Sequence, residues 1–95
     1  MTSLVSDIPA APSREAERHF LNRLRFETDC ADVAMAMKRG NPDFVLLHVI
    51  GSSQSFHARH IPGAVHMPHR EITAERMKQW PSETLFVAYC AGPHC

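Results

Sequence analysis

Apolar residues recur at helical spacing early in the chain, where Ala16, Phe20, Leu21 and Leu24 fall on one face between charged positions. Ser13 stands ahead of them as an N-cap and Glu15 lies in the first turn, which predicts a helix starting there. A second helix is predicted behind Thr28 or Asp29, with Val33, Ala34 and Met37 as its apolar face. Lys38 and Arg39 occupy its last turn and Gly40 stops it, matching the preference of helix C-termini for cations and glycine. Asn41-Pro42 then turns the chain. Residues 1–12, with Pro9 and Pro12 among small side chains, read as a flexible leader.

After Pro42 the period changes. Phe44 to Val49 is an apolar run interrupted only by His48, which predicts a strand buried on both faces, as in a parallel sheet. Gly51-Ser52-Ser53 breaks it and Gln54 to Arg59 gives a short helical turn. Ile61-Pro62-Gly63-Ala64 is a tight turn with Gly63 at positive φ. Val65-His66-Met67 is a minimal second strand closed by Pro68. Glu71 to Trp80 predicts a helix with Ala74, Met77 and Trp80 on its apolar side, ended by Pro81. Leu85 to Tyr89 is a third strand running straight into Cys90. Strands alternating with helices imply one α/β domain over residues 13–95, built on a largely parallel sheet.

Composition narrows the functional classes. Of 95 residues 44% are apolar, enough for one small folded core. Ten Lys and Arg balance ten Asp and Glu, which argues against nucleic acid or an acidic membrane as partner. No apolar stretch approaches the ~20 residues needed to span a bilayer. Met1 to Ser13 has neither the positive nor the apolar region of a secretory signal. The three cysteines, Cys30, Cys90 and Cys95, fit free thiols in a cytoplasmic setting better than a disulfide framework. Cys30, at a predicted helix start, is expected to be buried packing. Met35, Met37, Met67 and Met77 are expected to fill the core.

Cys90 carries the candidate chemistry. In open α/β sheets ligands bind outside the carboxyl ends of strands, and Cys90 sits at such an end, followed by Ala91-Gly92-Pro93-His94-Cys95. Small residues there allow successive backbone N–H groups to turn inward and hold an anion, which would favour a thiolate. His94 adds charge when protonated. On this local pattern a reactive thiol and an inert cysteine ending a strand both stand open.

A wider pattern separates them. Arg59-His60-Ile61-Pro62-Gly63-Ala64-Val65-His66-Met67-Pro68 resembles the turn signature of rhodanese-like domains. The strand Phe44 to Val49 precedes it, and Val87-Ala88-Tyr89-Cys90 with Gly92 follows where that family places its active cysteine. The resemblance covers roughly residues 28–95 and implies a three-layer α/β/α domain with a mainly parallel central sheet. It also implies sulfur transfer from a donor such as thiosulfate to a thiol or cyanide, through a persulfide on Cys90. Ala91, Gly92, Pro93, His94 and Cys95 would line the pocket, with no cofactor and no metal. The partners implied are a small sulfur donor and a thiol acceptor.

The sequence departs from that family in three places. His48 and Ile50 stand where an Asp and an Arg are usual, and Cys95 stands where an Arg is common. The chain also stops inside the loop, where the family continues with a helix and further elements, so the domain is expected to lack its C-terminal part. Cys95 is a candidate resolving thiol for Cys90, beside the plainer role of lining the pocket.

Two other readings remain open: a non-catalytic rhodanese-like binding module, and a cysteine-dependent phosphatase or arsenate reductase needing an Arg at position 96. The histidines invite a metal reading, since His57, His60, His66 and His69 form two pairs with Cys90, His94 and Cys95 to follow. In a strand or extended loop, however, three-residue spacing does not bring two side chains together, so hydrogen-bonded or solvated histidines are expected.

Overall fold

A computed structural model describes residues 2–91. The chain divides into two compact units, residues 1–35 and 36–95.

In the first unit the chain turns between Ser3 and Asp7, where the Asp7 N–H donates to the Ser3 carbonyl at 2.9 Å. Helix α1 then runs over Ser13–Phe26. Ser13 is its first residue rather than its cap. Pro12 takes the cap position with φ −55° and ψ 147°, offers no side-chain bond, and accepts the Ala16 N–H at 3.0 Å through its carbonyl. Proline's fixed φ lets the helix start there. The apolar face of α1 differs from expectation, because Phe20, Leu21 and Leu24 are all more than half exposed.

Helix α2, Cys30–Arg39, crosses the boundary between the units. Asp29 caps it, its Oδ1 accepting the Asp32 N–H at 2.8 Å, as the sequence predicts for an acidic cap. Gly40 ends it at φ 79°, a left-handed conformation that glycine adopts without a Cβ penalty. Cys30 is exposed, which corrects its expected burial. At the first position of a helix it is turned to solvent rather than into packing.

The second unit is a small α/β domain around a three-stranded parallel sheet ordered β2-β1-β3. Strand β1 spans Val45–His48, β2 Val65–His66 and β3 Phe86–Tyr89. Leu46 and Leu47 are adjacent, so they point to opposite faces, and both are only 3% exposed. Strand β1 is therefore buried on both faces, the property its apolar run predicts. Met67, directly after β2, completes this small core at 1% exposure. The other expected core methionines are less deeply placed: Met37 and Met77 are half-buried and Met35 is exposed.

Helix α3, Ser53–Ala58, joins β1 to β2 and is capped by the Ser52 hydroxyl, which accepts the Ser55 N–H. The turn Ile61 to Ala64 closes by the Ala64 N–H donating to the Ile61 carbonyl at 3.0 Å, with Gly63 at φ 89°. Between β2 and β3 the chain is less regular than its sequence suggests. A 3₁₀ turn covers His69–Glu71 and a single-turn helix, α4, covers Ala74–Met77. Thr73 explains the difference. Its hydroxyl accepts the Arg76 N–H and sets a new helix start after an extended Ile72, so the helix expected from Glu71 cannot form.

Candidate functional site

Parallel pairing brings two strand ends level. In the β1–β3 register His48 stands opposite Tyr89, and the Val49 N–H donates to the Tyr89 carbonyl at 3.2 Å. Cys90 follows immediately, half-buried at the carboxyl end of β3. It is disulfide-bonded, whereas Cys30 is free. Ala91 is exposed beside it. Gly92, Pro93, His94 and Cys95 lie outside the described residues, so the expected pocket lining and the Cys95 pairing are without a geometric account.

Tyr89 ties this strand end to two other elements. Its hydroxyl lies 2.6 Å from His48 Nδ1 and accepts the Ile61 N–H at 3.0 Å. The oxygen therefore links β1, β3 and the Ile61-Pro62-Gly63-Ala64 turn. With one lone pair engaged by Ile61 and a neutral His48, the hydroxyl proton goes to Nδ1, an assignment made from the network.

Around this link the rings form a cluster. Phe56 of α3 is sandwiched between His60, 4.0 Å away at 18°, and His66, 4.7 Å away at 10°. His48 meets Phe56 edge-on at 5.2 Å, His66 at 5.6 Å and Tyr89 at 4.8 Å. Such edge-to-face and stacked arrangements suit aromatic quadrupoles and add to the area they bury.

Backbone carbonyls consume the outer imidazole nitrogens. His66 Nε2 donates to the carbonyls of Ile50 and Gly51 at 3.2 and 3.0 Å. His60 Nδ1 donates to Phe56 at 2.7 Å, and His69 Nδ1 to Val49 at 3.3 Å. Since a carbonyl only accepts, each of these nitrogens carries a proton, and in the neutral ring the opposite nitrogen keeps the lone pair. Among the described residues no group of three or more His, Cys, Asp or Glu is arranged to hold a metal ion.

His48 is held below the ordinary histidine pKa. Burial among the rings is the first cause, then the charges that His66 and His60 would carry, against an opposing backbone hydrogen bond to Ile50. It is thus kept neutral and able to accept from Tyr89.

The sequence signals Cys90 and the Ile61 turn but not the network joining them. In the sequence His48 appears only as a departure from the usual Asp. The available signal was positional: His48 and Tyr89 each stand at the carboxyl end of a predicted parallel strand, where neighbouring side chains meet. Phe56 and His66 carried no such signal, because the path of the loop around α3 decides their stacking.

Among the described residues no helix is long and apolar enough to cross a membrane. No family model matches the chain, and no curated protein does. It is similar to the crystal structure of the BH2092 protein from Bacillus halodurans, with 31% identity and a TM-score of 0.73. The match covers 88% of this chain and 61% of that one, so the chain spans less than two thirds of its neighbour's length. At that score the two share one α/β fold.

Proposed function

We propose that this chain is a rhodanese-like sulfurtransferase working through a persulfide on Cys90. The observation that carries the reading is the 3.0 Å hydrogen bond from the Ile61 N–H to the Tyr89 hydroxyl. It joins the His-Ile-Pro-Gly-Ala turn to the Tyr-Cys strand end, the two segments on which the resemblance rests. The position of Cys90 beyond a parallel strand supports it further, since open α/β sheets bind ligands there.

The cycle begins from reduced Cys90, so a thiol must first open the disulfide. The Cys90 thiolate attacks the outer sulfur of thiosulfate, the donor's S–S bond breaks, and sulfite leaves with the electron pair. An acceptor thiolate then attacks the outer persulfide sulfur and Cys90 leaves as the thiolate. Two displacements at sulfur replace one direct transfer. Mass spectrometry after thiosulfate treatment of the reduced protein tests this. The expected result is one added sulfur on the Cys90 peptide, removed by dithiothreitol and absent from C90S. Unmodified Cys90 with no turnover of thiosulfate and cyanide would overturn it.

A further inference from the structure

We propose that His48 is a pH-responsive positioning residue for Cys90, acting through the Tyr89 hydroxyl. The inference rests on Cys90 being the reactive group in the sulfur-transfer reading, but its mechanism is the geometry of the strand end.

Tyr89 is bonded to Cys90 through one peptide link, so whatever fixes the Tyr89 side chain restrains the first residue of the loop. Its hydroxyl has three hydrogen-bonding capacities. One lone pair takes the Ile61 N–H, and the proton goes to His48 Nδ1 2.6 Å away. Neutral His48 makes that pattern self-consistent. Protonated His48 does not: Nδ1 becomes a donor, and the Tyr89 hydroxyl proton loses its acceptor.

The surroundings make the change consequential. The titratable groups facing the His48 ring are Tyr89 from β3, His66 from β2 and His60 from the segment after α3. None is a carboxylate, and the fourth neighbour is the Phe56 ring. An imidazolium there meets a rearranged hydroxyl and two further imidazoles at a part-buried site, and only the Ile50 backbone hydrogen bond favours it. Acidification therefore reverses the His48–Tyr89 hydrogen bond, so that the Tyr89 oxygen accepts from both Nδ1–H and the Ile61 N–H while its own proton turns away, and the strand end that carries Cys90 readjusts with it.

The test reads Cys90 directly and needs no sulfur transfer. In the reduced C30S/C95S variant Cys90 is the sole thiol, and its rate of reaction with an aromatic disulfide reagent is followed between about pH 5 and pH 8. Thiolate formation alone gives one ionisation. The expected profile has a second inflection below the ordinary histidine value, lost when H48N or Y89F is added. Asn keeps an acceptor near Nδ1 but cannot titrate, so H48N should retain the reactivity of the neutral form at low pH.

In parallel, the Ile61 amide resonance should titrate with His48 in the parent and stay flat in H48N. An inflection that survives in H48N, or an Ile61 amide indifferent to pH in the parent, would overturn the inference. If these results hold while thiosulfate leaves Cys90 unmodified, it is the sulfur-transfer reading that fails.

Discussion

His48 and Tyr89, 41 residues apart in sequence, face each other across the parallel β1–β3 pair with the imidazole Nδ1 2.6 Å from the phenol oxygen. A polar side chain at the end of a buried strand needs a partner there, and Tyr89 supplies it. The contact also reaches the turn through Ile61, so a single oxygen couples three segments of the second unit.

Y89F should therefore weaken the fold without emptying the ring cluster. The phenyl ring remains, but His48 Nδ1 and the Ile61 N–H lose their partner. Leaving polar groups unpaired costs about 1–3 kcal/mol when they are buried. Ile61 is exposed, so the lower end, about 1 kcal/mol, is expected. Urea unfolding of the reduced protein should show a lower midpoint at unchanged slope. A wild-type midpoint would mean that the hydroxyl bears no part of the fold's stability.

Stability should also fall on acidification, and proton counting fixes the sign. The folded pKa of His48 is lowered, first by burial and then by His66 and His60. Between that value and the ordinary 6.5 the unfolded chain binds the extra proton. The stabilisation is complete above 6.5 and is lost as pH drops through the folded value. Urea midpoints measured on either side of 6.5 should differ in the parent and converge in H48N. An equal pH dependence in both proteins would remove His48 as its source.

What could be read from the sequence divides along physical lines. Strand β1 was legible because its apolar run is short, lacks polar alternation and is bounded by Pro42 and Gly51, which suits a doubly covered strand, and Leu46 and Leu47 are both buried. The turn at Gly63 and the end of α2 at Gly40 were legible because positive φ selects glycine. The helix from Glu71 was misjudged because Thr73 competes locally for the helix start. For α1, periodicity finds an apolar face but is silent on what covers it, and Phe20, Leu21 and Leu24 stand largely exposed. The network at Tyr89 was hidden for another reason. It depends on strand register and on the loop from Gly51 to Ala64, and neither leaves a periodic trace.

Gly63 should not tolerate a side chain. At φ 89° an L-residue is strained, at a cost of roughly 1–2 kcal/mol. An added Cβ would also lie 2.8 Å from Met37 Cε, though that flexible thioether end can move aside. G63A should lower the thermal midpoint and shift the Ile61 amide resonance, since the same turn aims that N–H at Tyr89. A G63A protein with unchanged melting and an unchanged Ile61 signal would show that the turn does not need its left-handed residue.

Met67 should be the costliest truncation in the second unit. It is 1% exposed, and its backbone N–H donates to the His48 carbonyl at 3.0 Å. Truncating a buried Met to Ala costs about 2–5 kcal/mol, depending on how far the site collapses. Among the described residues few are fully buried, so little other packing is available to absorb the cavity. Domains are stable by only about 5–15 kcal/mol, and small ones lie toward the bottom of that range. M67A is therefore expected to be largely unfolded or to melt far below the parent, whereas M67L, which nearly conserves volume, should cost less than about 1.5 kcal/mol. The cavity would also lie beside the end of β1. Where M67A remains folded, the His48–Tyr89 contact should loosen and the pH response of the Ile61 amide should broaden or vanish. Thermal melts of the two variants decide the packing claim, and near-equal midpoints would show that Met67 is not a keystone of this core. The Ile61 amide titration decides the coupling, since a parent-like response in a folded M67A would mean that β1 holds His48 in place without help from Met67.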